Sequence, residues 1–274
     1  MKFSFSGAFL TALCLIFFNC TEEDGPAMAM EKNLDDGILK VLFLGNSHTF
    51  YNDLPSLVVK IARAHGYPDS IFIKVVAPGG YTLADHLASP AMEMVFESEL
   101  WDAVVIQENA TISSLIPSEI EKSMIQPAYG LAQKIKSNHP DTRIIWYMTH
   151  AYSHGISPCG EDESVCSFAG MLDRIRTNYL KAASVVVSEI APAGVMWKIL
   201  FKKASDINLH DDDDIHPNIL GSWVSAATIY AILFQQDLDK EKLELPQTYS
   251  SYTPLIAEVI NRSIFDQIPD WRIF

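Results

Sequence analysis

Three positions in this 274-residue chain have the residue types that acyl transfer requires. Ser47 stands in KVLFLGNSHTFYNDLP, just beyond an apolar run that ends on Gly45, while Asp213 and His216 stand late in the chain, in NLHDDDDIHPNILGSW. A serine hydroxyl attacks a carbonyl only when a base takes its proton and a third group orients that base. Asp213-x-x-His216 offers such a pair, and Pro217 directly behind it predicts that His216 sits at a helix start, on a loop that bends the carboxylate back to the ring. The reaction also needs donors for the developing oxyanion. The candidates are the backbone amides of Ser47 and of Gly80 in APGGYTL, and the carboxamide of Asn109 in VVIQENA; Gly79 and Gln107 compete for the second and third places.

Short apolar runs must position these residues. LKVLFLG (Leu39 to Gly45) reads as a buried strand, LPSLVVKIARAHG as a helix stopped by Gly66, and SIFIKVVAPGG as a second strand. Further strands are expected in WDAVVIQENA, in DTRIIWYMTH (Asp141 to His150) and in SVVVSEIAPAG (Ser184 to Gly194). A helix is expected from Thr82, and a long one after Ser118, with Ser118 and Glu121 as its capping box. Others are expected at Ala169 to Ala183, Pro217 to Phe234 and Pro254 to Ile264. Val/Ile/Leu strands alternating with helices predict one α/β domain, a parallel sheet covered on both faces. In such a fold ligands bind at the carboxyl ends of strands. Ser47, Gly80 and Asn109 all follow strands directly.

LGNSHT, GGYTL, VVIQENA and DDIHP resemble, in order and approximate spacing, the four sequence blocks of the SGNH/GDSL hydrolases, over roughly Lys40 to Phe234. The resemblance implies a flavodoxin-like three-layer α/β/α sandwich around a parallel sheet of about five strands. It also implies a catalytic Ser47, Asp213 and His216, an oxyanion hole of Ser47, Gly80 and Asn109, and no cofactor. Two blocks depart from the family pattern. Gly-Asn-Ser replaces Gly-Asp-Ser, and Gln107-Glu108-Asn109-Ala110 replaces Gly-x-Asn-Asp. An α/β-hydrolase fits less well, since Gly-x-Ser-x-Gly fails at Thr49 and its acid and His usually lie far apart in sequence.

A net charge of -14 argues against nucleic acid as a partner, because phosphate binding needs clustered Lys and Arg. Lys2 and the apolar Gly7 to Phe18 suit a secretory signal (1–19) and are too short to span a bilayer. Cys20 resembles a lipoprotein lipidation site, followed by an acidic tether (20–37) and the catalytic domain (38–274). The expected location is therefore export as a bacterial lipoprotein, periplasmic or at the outer-membrane or cell surface. Cys159 and Cys166 are expected to form a disulfide in that compartment. The expected activity is hydrolysis of a small acyl ester, acetylated carbohydrate in particular. Two alternatives stand beside it: an inactive surface lipoprotein that binds a glycan or partner, and a metal-dependent hydrolase using His210, Asp213 and His216, which are spaced three apart. His48, His150 and His154 read as rim or hydrogen-bonding residues, and Phe50, Tyr51 and Tyr81 as an aromatic platform or as packing.

Overall fold

The computed structural model describes Met1 and residues 37–67, 70–158, 162–266 and 272–273. The signal beyond Met1, Cys20, nearly all of the tether and Cys159 lie outside the described residues. Cys166 is disulfide-bonded.

Five parallel strands make the sheet: β1 (Leu39–Leu44), β2 (Ile71–Val76), β3 (Ala103–Ile106), β4 (Arg143–Tyr147) and β5 (Ser188–Ala191), in the order β2-β1-β3-β4-β5. A two-residue β6 (Arg272–Ile273), which the sequence pattern did not announce, pairs antiparallel with β5. Side chains alternate across each strand. Leu39, Val41 and Phe43 of β1 enter one hydrophobic core, and Leu42 and Leu44 enter the other.

The helices, in chain order, are α1 (Ser47–Phe50), α2 (Leu54–Ala64), α3 (Leu83–Ala88), α4 (Ala91–Glu97), α5 (Ala110–Ser113), α6 (Pro117–Ile120), α7 (Gln126–Asn138), α8 (Phe168–Ser184), α9 (Ala193–Lys203), α10 (Ile219–Phe234) and α11 (Thr253–Phe265). Helices α2, α9, α10 and α11 cover the first face of the sheet, and α3, α4, α7 and α8 the second. This is the expected three-layer α/β/α sandwich. Helix α10 is apolar all round and buried from Leu220 to Leu233, wedged among α2, α9 and α11.

Three local expectations need correction. The helix expected after Ser118 begins at Pro117 with no side-chain cap, so Ser118 and Glu121 form no capping box. A π-helical stretch, Glu121–Ile125, joins it to α7, where Pro127 cannot donate one turn back. The fifth strand ends at Ala191, and Gly194 lies inside α9, which the sequence reading missed because it ran the strand through that apolar segment. A Cβ at Gly194 would stand 2.4 Å from the Thr149 carbonyl, so this glycine permits close packing and marks no strand end. Helix α10 starts at Ile219 behind an Asn218 N-cap, so His216 lies in the loop before it and Pro217 opens no helix.

The strand order places the switch point between β1 and β3, where ligands bind in open α/β sheets. Leu44 is in register with Ile106 and with Val76, so the exits toward Ser47, Asn109 and Gly80 leave the sheet side by side.

Candidate active site

Ser47 opens α1, whose N-cap is Asn46. Gly45 is obligatory there, because a Cβ would lie 2.1 Å from Thr49 Oγ1 and 2.6 Å from Gln107 Oε1. Gln107 Oε1 accepts from the Asn46 amide at 3.0 Å and from Thr49 Oγ1 at 2.8 Å, tying the β1 exit to the β3 exit. The Gln107 amide nitrogen donates to the Glu108 carbonyl at 2.5 Å, so this side chain is committed to bracing. Asn46 Nδ2 donates to the Tyr81 carbonyl at 2.8 Å, which gives the residue before the serine a definite task in holding the Gly80 turn.

His216 and Asp213 reach Ser47 from the opposite side. Asp213 Oδ1 accepts from the amides of Ile215 at 2.9 Å and His216 at 2.8 Å, and Oδ2 accepts from His216 Nδ1 at 2.5 Å. Burial opposes the charge of Asp213, yet these hydrogen bonds and the neighbouring imidazole outweigh it and hold the carboxyl down at about 2. With the Nδ1 proton directed at Asp213, Nε2 is free to accept, and Ser47 Oγ donates to it at 2.8 Å. The expected trio therefore meets across 169 residues of sequence.

Further contacts fix the His216 ring and its loop and were not foreseen. Tyr51 stacks on the His216 ring, centroids 4.4 Å apart and nearly parallel. Asn52, in the left-handed region at φ 53°, donates to the Pro217 carbonyl and to Ser222 Oγ, both at 3.0 Å, linking the serine segment to the histidine segment. The Asn-Asp pair ahead of Leu-Pro was the available signal for that turn. Beneath the loop, His150 Nε2 donates to the Ile215 carbonyl at 3.0 Å, and its ring lies flat on Trp197 with centroids 3.8 Å apart. His48 and His150 are buried hydrogen-bonding or packing residues and lie on no rim; His154 is exposed near Asp214. Burial, reinforced by neighbouring imidazoles, lowers His48 to about 3 and His150 well below the usual range.

Where the oxyanion donors are expected, Gly80 has φ +76° in a turn closed by Tyr81 N donating to Pro78 O at 3.2 Å. The positive φ falls on Gly80, and Gly79 lacks it. Asn109 Oδ1 accepts from Thr111 N at 2.9 Å. Among the described residues, no protein acceptor takes the Ser47 amide, the Gly80 amide or Asn109 Nδ2. Gln107 is thus the bracing partner and Asn109 the side chain with a donor to spare.

His210, Asp213 and His216 do not converge as a metal site would require. His210 is buried, with Nε2 donating to the Ala151 carbonyl at 2.9 Å, while Asp213 is spent on His216. Among the described residues no group of three or more His, Cys, Asp or Glu is arranged to hold a metal ion.

The chain has an SGNH/GDSL hydrolase-like fold, and several solved structures superpose on it. A Slackia heliotrinireducens protein assigned to the SGNH hydrolases matches with a TM-score of 0.58 at 22% identity, over 72% of this chain and 99% of its own. A DUF4886 family protein from Bacteroides uniformis matches with a TM-score of 0.68 at 18% identity, over 85% and 96%. An acetyl xylan esterase from Geobacillus stearothermophilus matches with a TM-score of 0.50 at 19% identity, over 72% and 97%. No protein-family model matches the sequence. No curated protein matches it either.

Proposed function

We propose that the chain is a serine esterase that hydrolyses small acyl esters, with acetyl esters on carbohydrate as its substrate class. The observation that carries this reading is the continuous line of hydrogen bonds from Ser47 Oγ to His216 Nε2 at 2.8 Å and from His216 Nδ1 to Asp213 Oδ2 at 2.5 Å. In the reaction Ser47 attacks the ester carbonyl, His216 takes the hydroxyl proton and returns it to the leaving alcohol, and Asp213 keeps the imidazole in the required tautomer. The Ser47 and Gly80 amides and the Asn109 carboxamide receive the oxyanion. Water activated by His216 then releases the acyl group from Ser47.

Support for the substrate class comes from the acetyl xylan esterase of similar fold and from Phe50 and Tyr81, exposed apolar rings adjacent in sequence to the site segments. Export and a lipid anchor on Cys20 belong to the same proposal, since they would place the enzyme where acylated polymers occur. Hydrolysis of p-nitrophenyl acetate tests the activity. Ser47→Ala is expected to lower kcat by at least about a thousandfold. Turnover that survives in Ser47→Ala, or that a chelator abolishes in the wild type, would overturn the reading.

A further inference from the structure

We propose that Glu108 is a positioning residue of the oxyanion site, its single carboxyl fixing the two backbone segments that carry Gly80 and Asn109; the proposal rests on the serine-esterase reading above. Glu108 leaves β3 between Gln107 and Asn109 and is fully buried. Its Oε1 accepts from the Asn109 amide at 2.6 Å, and both carboxyl oxygens accept from the Leu83 amide at 3.2 Å. Leu83 is the first residue of α3, three positions beyond Gly80, and the intervening Tyr81 carbonyl is the one held by Asn46. One carboxyl therefore sets the spacing between two of the three oxyanion donors.

The backbone of Glu108 is itself pinned. Its amide donates to Tyr179 Oη at 2.9 Å, and its carbonyl accepts from Gln107 Nε2 at 2.5 Å. Among the described residues no cation forms an ion pair with it. A buried carboxyl without a cation is costly, and apolar packing alone would favour a hydrocarbon side chain there. What a hydrocarbon could not do is accept amide hydrogens from both flanks of the site.

The same burial gives the arrangement a pH signature. Desolvation pushes the Glu108 carboxyl up to about 8, against the Asn109 and Leu83 amides, which favour its charged form, and with the Asp85 charge adding to the rise. The other ionisable groups around it are His86 on α3, which burial lowers, and Tyr179 on α8, which burial raises well above its usual range. At neutral pH Glu108 is largely the uncharged acid. Once ionised, it sets a negative charge next to the place where the carbonyl oxygen turns negative, and that opposes the reaction.

The test is kcat and KM for p-nitrophenyl acetate in the wild type, Glu108→Ala and Glu108→Gln from pH 6 to 9.5. Glu108→Ala is expected to lower kcat by about tenfold to a hundredfold with KM unchanged, below the ~10²–10³ of deleting a donor outright. Glu108→Gln keeps an accepting oxygen without a charge, so it restores the rate at pH 7 and removes the wild type's decline above about pH 8. Wild-type kcat in Glu108→Ala, a loss confined to KM, or an unchanged decline in Glu108→Gln would overturn the proposal. Should Glu108→Ala not fold, the Glu108→Gln profile decides alone. A wild type that hydrolyses no ester counts against the esterase reading, whereas an active wild type with indifferent Glu108 variants counts against this one.

Discussion

The segment that carries Ser47 and the segment that carries His216 are held by different physics. Around Ser47, Gly45, Asn46, Thr49 and Gln107 form a close-packed, buried knot with bonds that span some 60 residues of sequence. Around His216 the loop is exposed and mostly self-stitched: Asp213 bonds to Ile215 and His216, and Asp211 N donates to the His216 carbonyl at 2.8 Å. A few bonds reach that loop from elsewhere in the fold: Asn52 and His150 donate to the carbonyls of Pro217 and Ile215, and Ser153 donates through its amide to the Asp214 carbonyl and through its hydroxyl to Asp214 Oδ1, both at 2.9 Å. Damage to the first segment should therefore unsettle the fold, and damage to the second should detune the chemistry while leaving the fold intact.

The strongest way to break this contrast is Gly45→Ala. A methyl group 2.1 Å from Thr49 Oγ1 and 2.6 Å from Gln107 Oε1 must force both side chains out of their shared hydrogen bond. The expected outcome is a large fall in Tm, or insoluble protein, with activity lost along with the fold; a variant with wild-type Tm and rate would show that the knot is slack. On the other side, Asp213→Asn keeps the oxygen that accepts from Ile215 and His216 but turns a donor toward His216 Nδ1, which imposes the wrong tautomer. A fall in kcat of about 10³–10⁴ at unchanged Tm is expected. A matching drop in Tm would mean that the loop, too, is held by the core.

The smallest effect is the dependence of stability on pH. His48 is lowered to about 3 from 6.5, and His86, His150 and His210 are lowered as well, so each contributes stability that is present above about pH 6.5 and lost as pH falls toward the folded value. Glu108 works in reverse: raised to about 8 from 4.5, it contributes stability that is present below about pH 4.5 and lost as pH rises through 8. Each group changes stability by at most ~1.4 kcal/mol per pH unit. With four histidines against one carboxyl, thermal melts are expected to show a net loss of Tm between pH 6.5 and 5. A rising Tm over that interval would mean that these imidazoles are not neutral in the fold.

The sequence carried the sheet well, because β1, β3 and β4 are continuous apolar runs whose period and bounding residues leave little choice of structure. Local motifs also singled out Ser47, Asp213 and His216, which the structure brings within hydrogen-bonding distance. It did not carry the bracing. Gln107 with Asn46, Asn52 with Pro217 and His150 with Ile215 are pairs separated by 61 to 165 residues, and nothing local in either partner signals the other. Gln107 in particular read as a rival donor, since residue type alone does not say whether an amide is already spent. Helix α9 was missed for a related reason: Pro192, Ala193 and Gly194 supply no capping side chain, so the apolar run looked like more strand.

The central claim is that Ser47 is a nucleophile activated by His216. Treating the folded chain with a fluorophosphonate and mapping the adduct by peptide mass spectrometry tests it most directly. A single adduct on the peptide containing Ser47, absent in Ser47→Ala and strongly slowed in His216→Ala, is the predicted result. Folded protein that takes up no label, or that carries it on another serine, would contradict the account.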